Sequence, residues 1–176
     1  GSSVSRVGKI TKHEFSQRTL GDLYKLNKSL GSNYYKDYIN NLSIFLKKIG
    51  VNINTVPVLD VIRNNTSNVI GNRSFSNNPN IVKKLGELCV KQYNMNKLAT
   101  VIKHIPGHGC SLVDSHLKTP KVNLTLNKLN KIDFLPFKSS SSKFAMTAHI
   151  IFEKIDKKNV ATFSKKIIKE ISRKTL

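Results

Sequence analysis

The sequence is poor in several residue types, and each shortage narrows the class of protein. It contains two cysteines in 176 residues, too few for a framework of disulfide bonds. It has no tryptophan, and aromatic residues make up only 7% of the chain, which argues against a stacking surface for nucleic acid. No stretch reaches the roughly 18 consecutive apolar residues of a membrane span. The sequence therefore predicts no disulfide scaffold and no membrane partner.

Acidic residues are also scarce, so the chain is strongly basic. Ten acidic residues stand against 30 lysines and arginines, giving a formal charge of +20 and a pI near 10.1. Such a charge ordinarily suggests nucleic acid as a partner. Here the basic residues are scattered as singles and pairs, such as Lys47-Lys48 and Lys83-Lys84, and the richness in Lys, Asn and Ile indicates codon bias. We expect no nucleic-acid partner.

Apolar spacing along the chain predicts helices in alternation with strands. Residues 1–15 are expected to form a loop. Helices are predicted over residues 37–48, 81–93, part of 124–137 and 161–171, and strands over 51–58, 98–102 and 144–148. Cys89 falls on an apolar position of the second helix and is expected to be buried. The alternation predicts an α/β fold with parallel strands in a single domain over residues 1–176.

The segment 103–116 carries most of the reactive side chains. It reads KHIPGHGCSLVDSH and holds three histidines, an aspartate and a cysteine directly after the apolar run 98–102. A buried strand followed by a Gly/Pro loop with titratable groups is typical of α/β enzymes, which place their chemistry at the carboxyl ends of strands. We expect the function of the chain to be decided in this segment.

The residues of this segment allow three interpretations. Asp114 and His116 can form a dyad in which the carboxylate orients the imidazole for proton transfer. Alternatively the segment offers zinc ligands, although their spacing matches no known zinc pattern: His104, His108, Cys110, Asp114 and His116. In the third interpretation some of the histidines only hydrogen-bond the backbone and fix the loop. Spacing alone leaves all three open.

Five stretches, in order, resemble the glycoside hydrolase family 3, in its bacterial β-N-acetylhexosaminidase branch. The central one is the run from Lys103 to Gly109, with Asp114-Ser115-His116 and Pro120, which is similar to the family signature KHFPGHG…DSH…P. The other four lie at residues 4–6, 57–61, 70–75 and 146–149. The family usually has aspartate after Gly-His-Gly, where this chain has Cys110. The resemblance covers essentially the whole chain.

The fold implied by the resemblance is a partial TIM (β/α)8 barrel with about three parallel strands and flanking helices. Complete barrels of this type take about 250 residues, against 176 here. The resemblance implies an internal piece of the N-terminal catalytic domain, with two family strands before Arg6 and three after Leu176. The first of those following strands carries the aspartate nucleophile in the family.

The resemblance also implies a chemistry and a set of site residues. Related enzymes remove terminal N-acetylglucosamine from cell-wall muropeptides by retaining hydrolysis, without a cofactor or metal. By motif position, His116 is the acid/base residue and Asp114 its orienting carboxylate. The residues that match sugar-binding positions are Arg6, Arg73, Lys103 and His104, with Asp60 a weaker candidate for the same pocket.

The resemblance implies that the nucleophile is absent, and this suggests two alternative functions and a binding partner. The chain is expected to be inactive alone, which leaves a non-catalytic sugar-binding or interaction module as the alternative function, ahead of a zinc-binding protein. Unpaired strand edges of a partial barrel invite self-association or pairing with a complementing fragment. The resemblance implies a cytoplasmic location.

Overall fold

The computed structural model describes residues 15–63, 69–113 and 119–174. Its helices are α1 (Gln17–Leu26), α2 (Lys28–Lys48), α3 (Pro79–Met95) and α4 (Leu126–Lys131). Its strands are β1 (Ile53–Asn54), β2 (Ala99–Ile105), β3 (Lys121–Val122), β4 (Phe144–Thr147) and β5 (Ile151–Phe152). There are also 3-10 helices at Gly71–Arg73 and Leu135–Phe137 and a π-helix at Ile167–Ser172. None of the helices described is long and apolar enough to cross a membrane.

The described strands form two parallel sheets. The larger sheet has the order β1-β2-β4, and the smaller one pairs β3 with β5. Parallel strands separated by helices confirm the predicted α/β class, and β4 lies within the predicted strand 144–148. The smaller sheet was missed because its strands have two residues each, too few for an alternating pattern.

The first two helices depart from the sequence prediction. The helix predicted over residues 37–48 begins at Lys28, where the side chain of Asn27 accepts a hydrogen bond from the first turn. Helix α1 was not predicted at all, although Ser16 caps it in the same way. Its apolar stripe is too short to stand out, since its buried residues are Gln17, Leu20 and Gly21.

The predicted strand 51–58 is wrong over most of its length. Only β1 is paired as a strand, and a single parallel bridge further on joins Val58 to Lys103. Pro57, between these two points, has no N–H to donate to a ladder. Its carbonyl still accepts from the N–H of Lys103 at 3.2 Å. The segment therefore meets β2 at two short points instead of along a continuous strand.

A side chain from α1 satisfies the backbone N–H and C=O of Val58 on the side away from β2. Gln17 is buried, donates through Nε2 to the Val58 carbonyl at 2.9 Å and accepts from the Val58 N–H through Oε1 at 3.0 Å. A primary amide offers the same donor and acceptor as a peptide group. Gln17 thus takes the place of a residue of a neighbouring strand. It does so at Val58, which lies two positions before Asp60.

Two apolar clusters hold these elements. The first packs α1, α2 and α3 against β2, and its fully buried members include Ile39, Phe75, Leu85 and Cys89, which confirms the prediction for Cys89. The second packs the smaller sheet against α4 and the π-helix, with Leu129, Phe134, Phe152 and Ile167 at its centre. Ile105 belongs to the first cluster and Cys110 to the second. The loop between them is anchored at both ends.

The last helix begins later than residue 161, where it was predicted. Ala161 is buried and its N–H donates to the carbonyl of Ile150 at 2.7 Å, which keeps residues 161–163 in a turn. Helical structure begins after Ser164, whose hydroxyl accepts from the N–H of Ile167 at 3.2 Å. The helical pattern predicted within 124–137 is confirmed as α4 and the 3-10 helix that follows it.

Strand β4 is exposed for a member of a parallel sheet. Phe144 keeps 51% of its surface accessible and Met146 keeps 43%. One edge of β4 pairs with β2, and no other described strand pairs with its second edge. Strands of parallel sheets are ordinarily covered on both faces. This second edge is therefore one surface to which the predicted self-association or complementation applies, and the outer edge of β1 is the other edge of the described sheet.

Candidate active site

The polar residues of the central segment lie where β2 ends. β2 carries Lys103 and His104 near its carboxyl end, and Asp60 follows the bridge at Val58. Pairing with β4 shifts register between Lys103 and Ile105, an irregularity that re-aims side chains. The carboxyl ends of parallel strands are where α/β folds bind ligands. The structure thus places these polar residues at the carboxyl ends of the strands, where the sequence predicts a site.

Asp60 is the centre of the site. Its carboxylate is fully buried and accepts from the His108 N–H at 2.6 Å, from the His104 ring Nδ1 at 2.7 Å and from the His104 N–H at 3.4 Å. Burial alone would raise the pKa of Asp60, but His104 and then His108 outweigh it and lower the pKa below its ordinary value. A single ionised carboxylate therefore organises both histidines of the loop.

Two cationic side chains, Lys103 and Arg73, lie close to each other beside the histidines. Lys103 is only 7% exposed, and the one hydrogen bond of its ammonium within the described residues goes to Thr55 Oγ1 at 3.4 Å. Burial, and then the charge of Arg73, lowers the pKa of Lys103. The Nε of Arg73 is buried without a hydrogen-bond partner in the described part of the chain. Arg73 also donates to the Val69 carbonyl at 3.4 Å, so neither side chain uses all of its donors within the described part of the chain.

His108 lies beneath His104 and packs against it edge to face. The ring centroids are 5.7 Å apart at an interplanar angle of 63°, and His108 is 4% exposed. Burial is the main cause that lowers the pKa of His108, and His104 and Arg73 add to it while Asp60 opposes it. The lowered pKa favours the neutral form of the ring.

The two glycines of the loop permit close backbone packing. A Cβ on Gly109 would lie 1.9 Å from the carbonyl oxygen of Val61. Gly107 has a φ of +141°, and a Cβ there would lie 2.9 Å from both the Cβ and the carbonyl oxygen of Asp133. The loop is thus pressed against the segment after Asp60 on one side and against Asp133 on the other.

A buried ion pair supports this loop from behind. The Nε of Arg63 donates to Asp133 at 3.2 Å, and a second guanidinium nitrogen contacts the other carboxylate oxygen. Cys110 lies beside Asp133, and burial, followed by that carboxylate, raises the pKa of the thiol well above its ordinary value. Burial also raises the pKa of Asp133 although Arg63 acts to lower it. Nothing in the sequence indicated this pair, because Arg63 and Asp133 stand in separate segments that share no pattern.

The structure brings together some of the predicted site residues. Lys103 and His104 lie beside Asp60, and Arg73 lies close to Lys103 and His108. The side chain of the weaker candidate Asp60 makes three hydrogen bonds, the most of this group. Arg6, Asp114 and His116 lie outside the described residues. Their roles remain predictions.

The zinc interpretation can be followed only in part. Across residues 15–63, 69–113 and 119–174, no group of three or more His, Cys, Asp and Glu side chains is arranged to hold a metal ion. Of the five candidate ligands, Asp114 and His116 fall outside those ranges. His104 is instead bonded to Asp60, and Cys110 lies beside Asp133.

Comparison with known proteins identifies the family. The model of the glycosyl hydrolase family 3 N-terminal domain matches residues 24–176. The chain belongs to this family. A β-hexosaminidase A from Pseudoalteromonas piscicida is 36% identical over 165 residues, which are 91% of this chain and 27% of that protein.

Solved structures of family 3 proteins share the fold. NagZ from Neisseria gonorrhoeae in complex with N-trifluoroacetyl-D-glucosamine has a TM-score of 0.84 at 30% identity, covering 90% of this chain and 47% of NagZ. A structure of the same protein in complex with a zinc ion has a TM-score of 0.82. These similarities confirm a TIM-barrel-type α/β fold for the family 3 chain. The chain spans 47% of the length of NagZ and 27% of the length of the β-hexosaminidase A.

Proposed function

We propose that this chain supplies the saccharide-binding wall and the acid/base loop of a β-N-acetylhexosaminidase. The substrate we propose is a cell-wall muropeptide that ends in N-acetylglucosamine, hydrolysed in the cytoplasm as part of peptidoglycan recycling. Family membership and the β-hexosaminidase relatives support the enzyme class. The arrangement of polar groups at the end of β2 supports the ligand class.

One observation carries the proposal: buried donors converge with spare hydrogen-bonding capacity. Lys103 makes one long hydrogen bond, Arg73 has a buried Nε without a partner in the described residues, and His104 is held by Asp60 at one ring edge only. A sugar offers many hydroxyl and carbonyl oxygens to such groups. The NagZ structure with N-trifluoroacetyl-D-glucosamine supports this ligand class. We assign sugar binding to Arg73, Lys103 and His104, together with Arg6.

The proposed reaction is retaining hydrolysis in two steps. An acid/base residue protonates the leaving oxygen and then activates water, while a carboxylate nucleophile forms a covalent intermediate at the sugar. We propose His116 for the first role and Asp114 as its orienting carboxylate. Cys110, four positions before Asp114, is buried in the second apolar cluster.

Neither described carboxylate at the site is available as the nucleophile. Asp60 is fully buried and accepts three hydrogen bonds, and Asp133 is fully buried in an ion pair with Arg63. A nucleophile must reach the anomeric carbon with a free oxygen. We therefore expect the chain alone to bind the sugar without hydrolysing it.

Two measurements test the function. Calorimetric titration with N-acetylglucosamine should show weak binding, roughly in the millimolar range. Binding should be lost in Lys103→Ala and kept in Lys91→Ala, which changes an exposed lysine of α3. Equal binding by both variants would reject the proposed site.

The second measurement separates the enzyme from a non-catalytic sugar-binding module. Because Asp60 and Asp133 are both occupied by hydrogen bonds, the non-catalytic sugar-binding module is favoured for the isolated chain. A chromogenic N-acetyl-β-glucosaminide should stay intact with this chain. Turnover that disappears in His116→Ala would show that a nucleophile is present after all and would establish the enzyme.

A further inference from the structure

The ring of His104 is held at one edge by a carboxylate whose other bonds are fixed. Asp60 Oδ2 lies 2.7 Å from His104 Nδ1. Asp60 Oδ1 accepts from two backbone donors, the N–H of His108 at 2.6 Å and the N–H of His104 at 3.4 Å. A peptide N–H cannot reverse its role, so Oδ1 is committed as an acceptor. The orientation of the Asp60 carboxyl group is thus fixed, with Oδ1 toward the backbone and Oδ2 toward the ring of His104.

The remaining contact has one consistent proton arrangement. An ionised carboxylate only accepts hydrogen bonds, so Nδ1 of His104 must carry the proton that it donates to Oδ2. In the neutral ring the lone pair is then on Nε2. Nε2 makes no hydrogen bond to any described residue, and 17% of the side chain is exposed. The opposite ring edge therefore faces the site as an acceptor.

We infer that Asp60 is a positioning residue that fixes neutral His104 as its Nδ1–H tautomer and so makes Nε2 the hydrogen-bond acceptor of the site. The neighbouring charged groups, Lys103 and Arg73, only donate. A group that bonds to His104 and also to one of these cations must donate and accept at once. A hydroxyl meets this requirement and a fluorine or ether oxygen does not. The saccharide part of this inference rests on the proposed function, whereas the tautomer does not.

The tautomer is measured directly by ¹⁵N–¹H correlation of the imidazole nitrogens in the full chain, at a pH where the ring titration shows His104 to be neutral. His104→Gln assigns the signals by their loss. We expect a protonated Nδ1 and an unprotonated Nε2 in the unmodified protein. Predominant Nε2–H, or a fast mixture of both tautomers, would overturn the inference without any need for a folded variant of Asp60.

Asp60→Asn tests the cause. The amide oxygen should stay on the two backbone N–H groups, which leaves the NH₂ facing Nδ1 of His104. The proton should then move to Nε2, and the two nitrogen signals should exchange character. A spectrum that keeps the Nδ1–H tautomer in Asp60→Asn would show that Asp60 does not set it. Loss of packing alone would not exchange the two nitrogen types.

The acceptor role is tested with N-acetylglucosamine analogues in which each hydroxyl in turn is replaced by fluorine. One analogue should bind roughly three- to tenfold more weakly to the unmodified chain, as expected for one lost hydrogen bond. The same analogue should lose much less in Asp60→Asn, where Nε2–H donates. Equal affinity of all analogues would overturn the acceptor role. No sugar binding at all, with the Nδ1–H tautomer present, would reject the proposed function and leave the tautomer established.

Discussion

Arg63 and Asp133, which are 70 positions apart in the chain, form an ion pair behind the loop that follows β2. The carboxylate of Asp133 is fully buried and the Arg63 side chain is 23% exposed. Gly107 and Cys110 both pack against Asp133. The shape of the loop thus depends on this ion pair.

Arg63→Gln should lower the free energy of unfolding by about 3–5 kcal/mol, because it leaves the buried Asp133 carboxylate without its partner. Urea denaturation at neutral pH measures the change. Lys25→Gln is the matched control, because it breaks an exposed lysine–aspartate pair in α1. That variant should stay within about 1 kcal/mol of the unmodified protein. A loss below 1 kcal/mol in Arg63→Gln would mean that water already solvates Asp133.

Asp60→Asn should be less stable than the unmodified chain at neutral pH by about 1–3 kcal/mol, and this deficit should shrink in acid. Although burial opposes it, His104 and then His108 hold the pKa of Asp60 below its ordinary value, so its ionised form favours folding. This contribution is present above the unfolded pKa and is lost as the pH falls through the lower folded pKa. Urea midpoints of both proteins from neutral pH down to acid unfolding give the difference. A deficit independent of pH would contradict the linkage.

Gly109→Ala should disturb both stability and sugar binding. The added Cβ would lie 1.9 Å from the Val61 carbonyl oxygen, so the loop must move at a cost of about 1–3 kcal/mol. The N–H of His108, which bonds Asp60, should move with it. Gly50→Ala is the control, because its φ of +80° brings a backbone cost but no atom lies within 4 Å of the new Cβ. Gly50→Ala should keep sugar binding, and a Gly109→Ala protein with full affinity would contradict the prediction.

The second edge of β4 should cause self-association that depends on protein concentration. Size-exclusion chromatography with light scattering over a range of concentrations tests this. Met146→Lys should reduce association, because a lysine on an exposed strand edge opposes pairing. Leu126→Lys removes an apolar residue of α4 that is 46% exposed and should have no effect. A clean monomer at all concentrations would remove β4 as an interaction surface.

The position of Lys103 and His104 at the end of a strand could be predicted from the sequence because these residues are local. Lys103 and His104 are adjacent in one strand, and β2 is long and apolar enough to show as a strand. The Arg63–Asp133 pair joins two loops with no common pattern, so spacing gave no sign of it. The predicted strand 51–58 failed because the apolar alternation continues through Pro57, which cannot join a ladder fully.

The amide of Gln17 has a mechanical consequence for the site. Both of its hydrogen bonds go to Val58, so the first turn of α1 is tied directly to the backbone that leads to Asp60. A tilt of α1 would pull on that backbone and, through Asp60, on the ring of His104. Helix α1, which the sequence did not predict because it has few buried residues, is thereby connected to the orientation of the His104 ring.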